Sequence, residues 1–132
     1  MRILRTIASV ILGYVAIGVL VFGTDQIFAA VVPGFKSLAI LPLYYYAISL
    51  ITDSVYSLFG GWLCARLAPA RPMLHAITLI VCGEVIGIGT QVMLWNTVPH
   101  WFGLSLVVLF APAVWIGAKL VKSSGAAIAQ SA

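Results

Sequence analysis

Three carboxylic acids, Asp25, Asp53 and Glu84, are the only acidic residues in the 132-residue chain, and each falls inside a long apolar run. An ionisable group within hydrocarbon is costly and rarely persists without a partner or a task. Asp53 lies thirteen residues before Arg66 and Glu84 thirteen after Arg71. At ~1.5 Å per residue each carboxyl therefore sits about 20 Å from the basic end of its helix, near the middle of a bilayer. A short basic loop joins the two helices, so they are expected to be antiparallel neighbours with both carboxyls at one depth. Around Asp53, the residues Tyr46, Ser49, Ser57 and Gly60 recur at three- and four-residue steps and make one polar stripe, and Gln91 shares a face with Glu84. Two carboxylates in a low dielectric cannot both ionise cheaply, so a shared proton or a bound cation is expected between them.

Two readings of this group stay open. Asp53, Glu84, Ser49, Ser57 and Gln91 form an ion or proton site, or the same residues hydrogen-bond one another as packing glue between helices. Asp25, twenty residues after Arg5 and hence about 30 Å along the helix, is expected near the opposite interface. There it either pairs with Lys36 or caps the bundle, or it forms an outer vestibule with Gln26 and His100. His75 with Met73 lacks the further ligands of a metal site, so an interfacial histidine and no bound metal are expected. No GxSxG, HExxH, phosphate-binding glycine loop or Cys/His nucleophile pair occurs, so neither an enzyme nor a cofactor is expected.

The elements that must position these groups follow from composition. The chain is 63% hydrophobic and 8% charged, with a mean hydropathy of +1.15; soluble domains are roughly half apolar and a quarter charged. Four apolar runs of membrane-spanning length are expected as helices over about 7–32, 38–64, 73–95 and 101–121, separated by Pro33-Gly34, by Pro69 and Pro72, and by Pro99. The first run is too long for a cleavable signal segment. Residues 123–132 are small and polar and read as a flexible tail. The fold expected is thus an all-α, four-helix transmembrane bundle of up-down topology, forming one domain over 1–122.

The formal net charge of +4 comes from seven Lys and Arg against three acids. These cations stand at the edges of the spans rather than in a patch, which argues against nucleic acid as a partner. Arg2, Arg5, Arg66, Arg71, Lys119 and Lys122 fall on one side and Lys36 on the other, placing both termini in the cytoplasm. Trp62 and Trp115 read as an aromatic belt on the basic side, with Trp95, Trp101 and Tyr44 to Tyr46 as its counterpart. Cys64 and Cys82 differ in depth and are not expected to pair. Small residues at four-residue spacing, Ser9 and Gly13, Gly83 and Gly87, and Ala113 and Gly117, mark faces for packing within the bundle or against another subunit.

The run Gly60-Gly61-Trp62-Leu63-Cys64-Ala65-Arg66-Leu67-Ala68-Pro69, with Arg71-Pro72-Met73-Leu74-His75-Ala76, resembles the helix hairpin of small bacterial four-helix integral membrane proteins that have no assigned function. Pro99-His100-Trp101-Phe102, Ala111-Pro112 and Gly117 resemble the same group, which implies a multi-pass protein of the bacterial inner membrane. Small multidrug-resistance transporters are similar in length and helix number. They carry an acid in the first half of helix 1, where this chain has Ser9, Gly13 and Tyr14. The function expected first is a scaffold or accessory subunit in a homo-oligomer or with a membrane protein partner, and the alternative is a proton- or cation-coupled small transporter using Asp53 and Glu84.

Overall fold

The computed structural model describes residues 2–33, 41–68 and 70–131, with side chains as far as Val121. It is all-α, with α1 at Arg2–Val31, α2 at Leu43–Leu67, α3 at Pro72–Met93 and α4 at His100–Ser131. Each helix is long and apolar enough to cross a membrane. The apolar side chains left uncovered, among them Ile11, Val19, Val55, Val85 and Val108, lie outside the bundle, where lipid is the solvent that suits them.

Proline sets the boundaries. Pro42 is extended at φ −60° and ψ 147°, so α2 begins at Leu43 rather than at the expected 38. Leu41, immediately before that proline, is biased away from helix in turn. Pro72 occupies the first turn of α3, where a missing N–H is no loss. The helical backbone of α4 continues to Ser131, past the expected end at 121. No proline interrupts residues 122–131, and Ala126, Ala127 and Ala129 are strong helix formers. Arg71 joins α2 to α3 with φ 51°, in the left-handed region.

The helices are arranged in the order α1, α2, α4, α3 around the bundle. The most extensive contact is between α2 and α4, and α1 makes none with α4. α2 and α3 touch, as the short loop between them leads one to expect, but α4 takes the larger share of both. Small residues explain the choice. A Cβ at Gly61 would collide with the Val114 carbonyl oxygen, and one at Gly117 with the backbone of Leu58 and Trp62. These two helices therefore approach backbone to backbone, which lets van der Waals attraction hold them in a medium where no hydrophobic effect separates helix from lipid.

The core lies toward the end that carries Arg2, Arg5, Arg66, Arg71 and Lys119, and its members are Cys64, Ala65, Ala76, Leu79, Val114 and Ala118. Gly13 closes it from α1, its Cα facing Cys64, the Gly60 carbonyl and Leu79. At this basic end Arg66 and Lys119 lie over the rings of Trp62 and Trp115, at 5.3 and 5.5 Å. At the opposite end the three tyrosines do not form one belt. Tyr44 is exposed, whereas Tyr46 is buried against Phe102 and Trp101, with ring centroids at 4.9 and 5.9 Å. Successive helical residues turn by about 100°, so three in a row cannot share a face.

Candidate functional site

Beyond the Gly13–Leu79 contact α1 and α3 diverge, and Gly18 and Gly23 on α1 and Gly87 and Gly89 on α3 have nothing within 4 Å of a Cβ position. The divergence leaves a cavity of about 410 Å³, with α2 and α4 as its back wall. All three carboxylic acids of the chain line it, Asp25 from α1, Asp53 from α2 and Glu84 from α3. Ser57 and Gln91 line it as well. Asp53 and Glu84 thus line one cavity, with no direct bond between them.

Helix registers give the depths. On α1 and α2, Gly13 lies against Gly60 and Cys64, and the hydroxyls of Thr24 and Tyr56 are 2.6 Å apart. On α4, Gly117 lies against Leu58 of α2 and Phe110 against Gly83 of α3. Carried along the α1–α2 register at ~1.5 Å per residue, Asp25 stands roughly one turn, ~5 Å, farther from the basic end than Asp53.

Asp25 is inside α1, within the expected span and six residues before Val31, on the face that also carries Tyr14, Gly18 and Val21 into the cavity. Tyr45 Oη donates a hydrogen bond to its Oδ1 at 3.2 Å. Pairing with Lys36 lies outside the described residues. No outer vestibule assembles: Gln26 is exposed, and His100 stacks on Trp95 at 3.9 Å and donates from Nε2 to the Trp95 carbonyl at 3.0 Å. His100 borders a separate, mostly apolar cavity between α3 and α4. Ser49 is also displaced from the expected site, being buried but not among the lining residues. The periodic stripe on α2 is wide enough to face two ways, so that Tyr46 turns to α4 while Asp53 and Ser57 turn to the cavity.

Side chains not anticipated at the site are Tyr14, Ser54 and Thr90, with Leu106, Val107 and Phe110 as the α4 wall. The signal for the first was present, since Tyr14, Gly18, Val21 and Asp25 follow one another at steps of four, three and four. The apolar wall carries no comparable mark.

The packing-glue alternative requires cross-helix bonds from the carboxyls. Among the described residues no side-chain hydrogen bond joins Asp53 or Glu84 to another side chain. Ser57 instead donates to the Asp53 carbonyl one turn back at 2.7 Å, and Ser54 to that of Leu50 at 2.7 Å. No side-chain polar atom among the described residues is both sealed from solvent and without a partner, so the two carboxyls open onto the cavity. His75 is buried at the basic end of the bundle, bonded to Thr6 and to the Arg71 carbonyl. Cys64 is buried and Cys82 exposed, both as free thiols.

Fold and cavity together define an all-α membrane protein with four candidate spans enclosing an acid-lined cleft. No family model matches the chain, and neither a curated protein nor a solved structure matches it.

Proposed function

We propose that the protein is a small cation- or proton-coupled carrier whose binding site is the cavity between α1 and α3. The observation that carries this reading is the gathering of every acid in the chain around one intramembrane cavity, which among the described residues no Lys, Arg or His lines. A site of that composition attracts a cation or shares protons, because unneutralised carboxylates are disfavoured at such depth. A scaffold would draw on the small-residue faces for subunit contacts, yet Gly13, Gly61, Gly83 and Gly117 are covered within the bundle. The bias of six cations to one supports a basic end facing the cytoplasm. The bacterial inner membrane suits that orientation and the hairpin motifs.

The test is flux in proteoliposomes holding the purified protein, with an imposed proton or cation gradient. Glu84→Gln keeps the shape and hydrogen-bonding capacity of the side chain and removes its charge. It is expected to lower flux at least about tenfold, equivalent to ~1.4 kcal/mol, while the elution profile in detergent stays that of the unaltered protein. Unchanged flux in this variant refutes the carrier.

A further inference from the structure

Arg2, Arg5, Arg66, Arg71 and Lys119 stand at one end of the bundle, and all five are exposed. The acids of the chain lie well inside the spans: Asp53 is thirteen residues from Arg66, about 20 Å along the helix. Among the described residues none of these cations makes an ion pair. Like charges gathered at one end repel one another unless an anion joins them.

Two of the five have a partner of another kind, since Arg66 and Lys119 lie over the rings of Trp62 and Trp115. Among the described residues the guanidinium groups of Arg2, Arg5 and Arg71 have neither a ring nor a hydrogen-bond partner. Buried contacts nonetheless draw these three together. Thr6 Oγ1 lies 3.0 Å from the Arg2 carbonyl and 3.1 Å from His75 Nε2, and His75 Nδ1 lies 3.1 Å from the Arg71 carbonyl. Arg2 precedes Thr6 by four residues and Arg5 precedes the buried Ser9 by four, so helical spacing puts both arginines on the face of α1 that turns to the bundle. The start of α1 and the turn before α3 thus present three arginines side by side.

The residues between these cations indicate which anion suits them. Ile3 and Leu4 separate Arg2 from Arg5, Leu67 and Leu74 flank Arg71, and all four aliphatic side chains are exposed. A soluble phosphate or a nucleic-acid strand leaves them in water. A phospholipid brings both complements in one molecule, a phosphate that arginine binds with its paired donors and hydrocarbon that covers the aliphatic side chains. Depth agrees, because Arg66 stands four residues beyond Trp62 and tryptophan marks the level of the headgroups. A headgroup of net negative charge suits three guanidinium groups better than one that carries a cation of its own.

We propose that the basic end of the bundle binds an anionic phospholipid, its headgroup phosphate held among Arg2, Arg5 and Arg71. This stands apart from the carrier reading and needs only the membrane-spanning fold.

Native mass spectrometry of the full-length protein in mild detergent, titrated with dioleoylphosphatidylglycerol or with dioleoylphosphatidylcholine, compares two lipids of identical acyl chains. The first phosphatidylglycerol is expected to bind at least about tenfold more tightly than the first phosphatidylcholine. The double variant Arg5→Gln/Arg71→Gln is expected to lose that preference, and Arg66→Gln/Lys119→Gln, which removes the same charge, is expected to keep it. Equal binding of the two lipids by the unaltered protein overturns the proposal, and this comparison needs no variant. A preference that survives in the first double variant, or is lost equally in both, overturns the three-arginine site. Glycerol phosphate bound as tightly as phosphatidylglycerol overturns a lipid as the occupant.

Discussion

His75 ties three segments together at one point. Its Nδ1 lies 3.1 Å from the Arg71 carbonyl and its Nε2 3.1 Å from Thr6 Oγ1. A carbonyl only accepts, so Nδ1 carries the proton. In the neutral ring Nε2 accepts from the Thr6 hydroxyl, which otherwise donates to the Arg2 carbonyl at 3.0 Å. One side chain thus fastens the start of α1 to the turn between α2 and α3, where Arg71 holds a left-handed conformation that non-glycine residues seldom adopt. The ring is 7% exposed, so its removal deletes both bonds and opens a void. His75→Ala is expected to cost about 1–2 kcal/mol, since interhelical hydrogen bonds contribute modestly in membranes. It should register as a lower Tm in detergent with flux per folded molecule unchanged, because His75 lies at the basic end and outside the cavity. An unaltered Tm contradicts this role.

Helix pairing rests on glycine at the positions where backbones meet, which makes the effect of adding one methyl group opposite at different glycines. At Gly61 the new Cβ would collide with the Val114 carbonyl oxygen and stand 2.8 Å from its Cα, and neither atom can move without shifting α4. At Gly18 the same methyl group meets nothing within 4 Å. Gly61→Ala is therefore expected to destabilise by ~2 kcal/mol or more, in the manner of an overpacked core. Gly18→Ala should be neutral or stabilising by up to ~1 kcal/mol through helix propensity. Thermal melts of the two variants side by side check the contrast. The sequence contains both glycines in equally apolar surroundings, and nothing local tells them apart. Spans were legible because apolar runs of bilayer length between prolines have few alternative structures. The circuit α1–α2–α4–α3 was not, since a small residue advertises a close contact without naming its partner. Counting from Arg66 and Arg71 puts Asp53 and Glu84 equally far along their helices, because helical rise is constant. For Asp25 counting gives depth but leaves rotation open, and its inward face becomes evident only with Tyr14, Gly18 and Val21 taken together.

At the scale of the whole molecule, the densest packing and the acids lie apart along the bundle. The basic half holds the core cluster and the Gly13, Gly61 and Gly117 contacts, while beyond it α1 and α3 part around the acids. Packing a membrane protein this tightly at one end leaves the diverging end free to keep a cavity without loss of the fold, as close van der Waals contact is what holds helices together in lipid. Gly87 tests the division. It lines the cavity from α3, one turn from Gly83 on the same face, and has nothing within 4 Å of its Cβ position. A leucine there projects into the slot close to Glu84 without meeting backbone. Leucine is a better helix former than glycine by nearly ~1 kcal/mol, so Gly87→Leu is expected to hold or raise Tm. The same side chain takes up room that an occupant needs, and cation binding and flux should fall at least about tenfold. A lowered Tm would mean that the diverging half also carries the fold, and full flux in a stable variant would mean that ions do not pass by the acids at all.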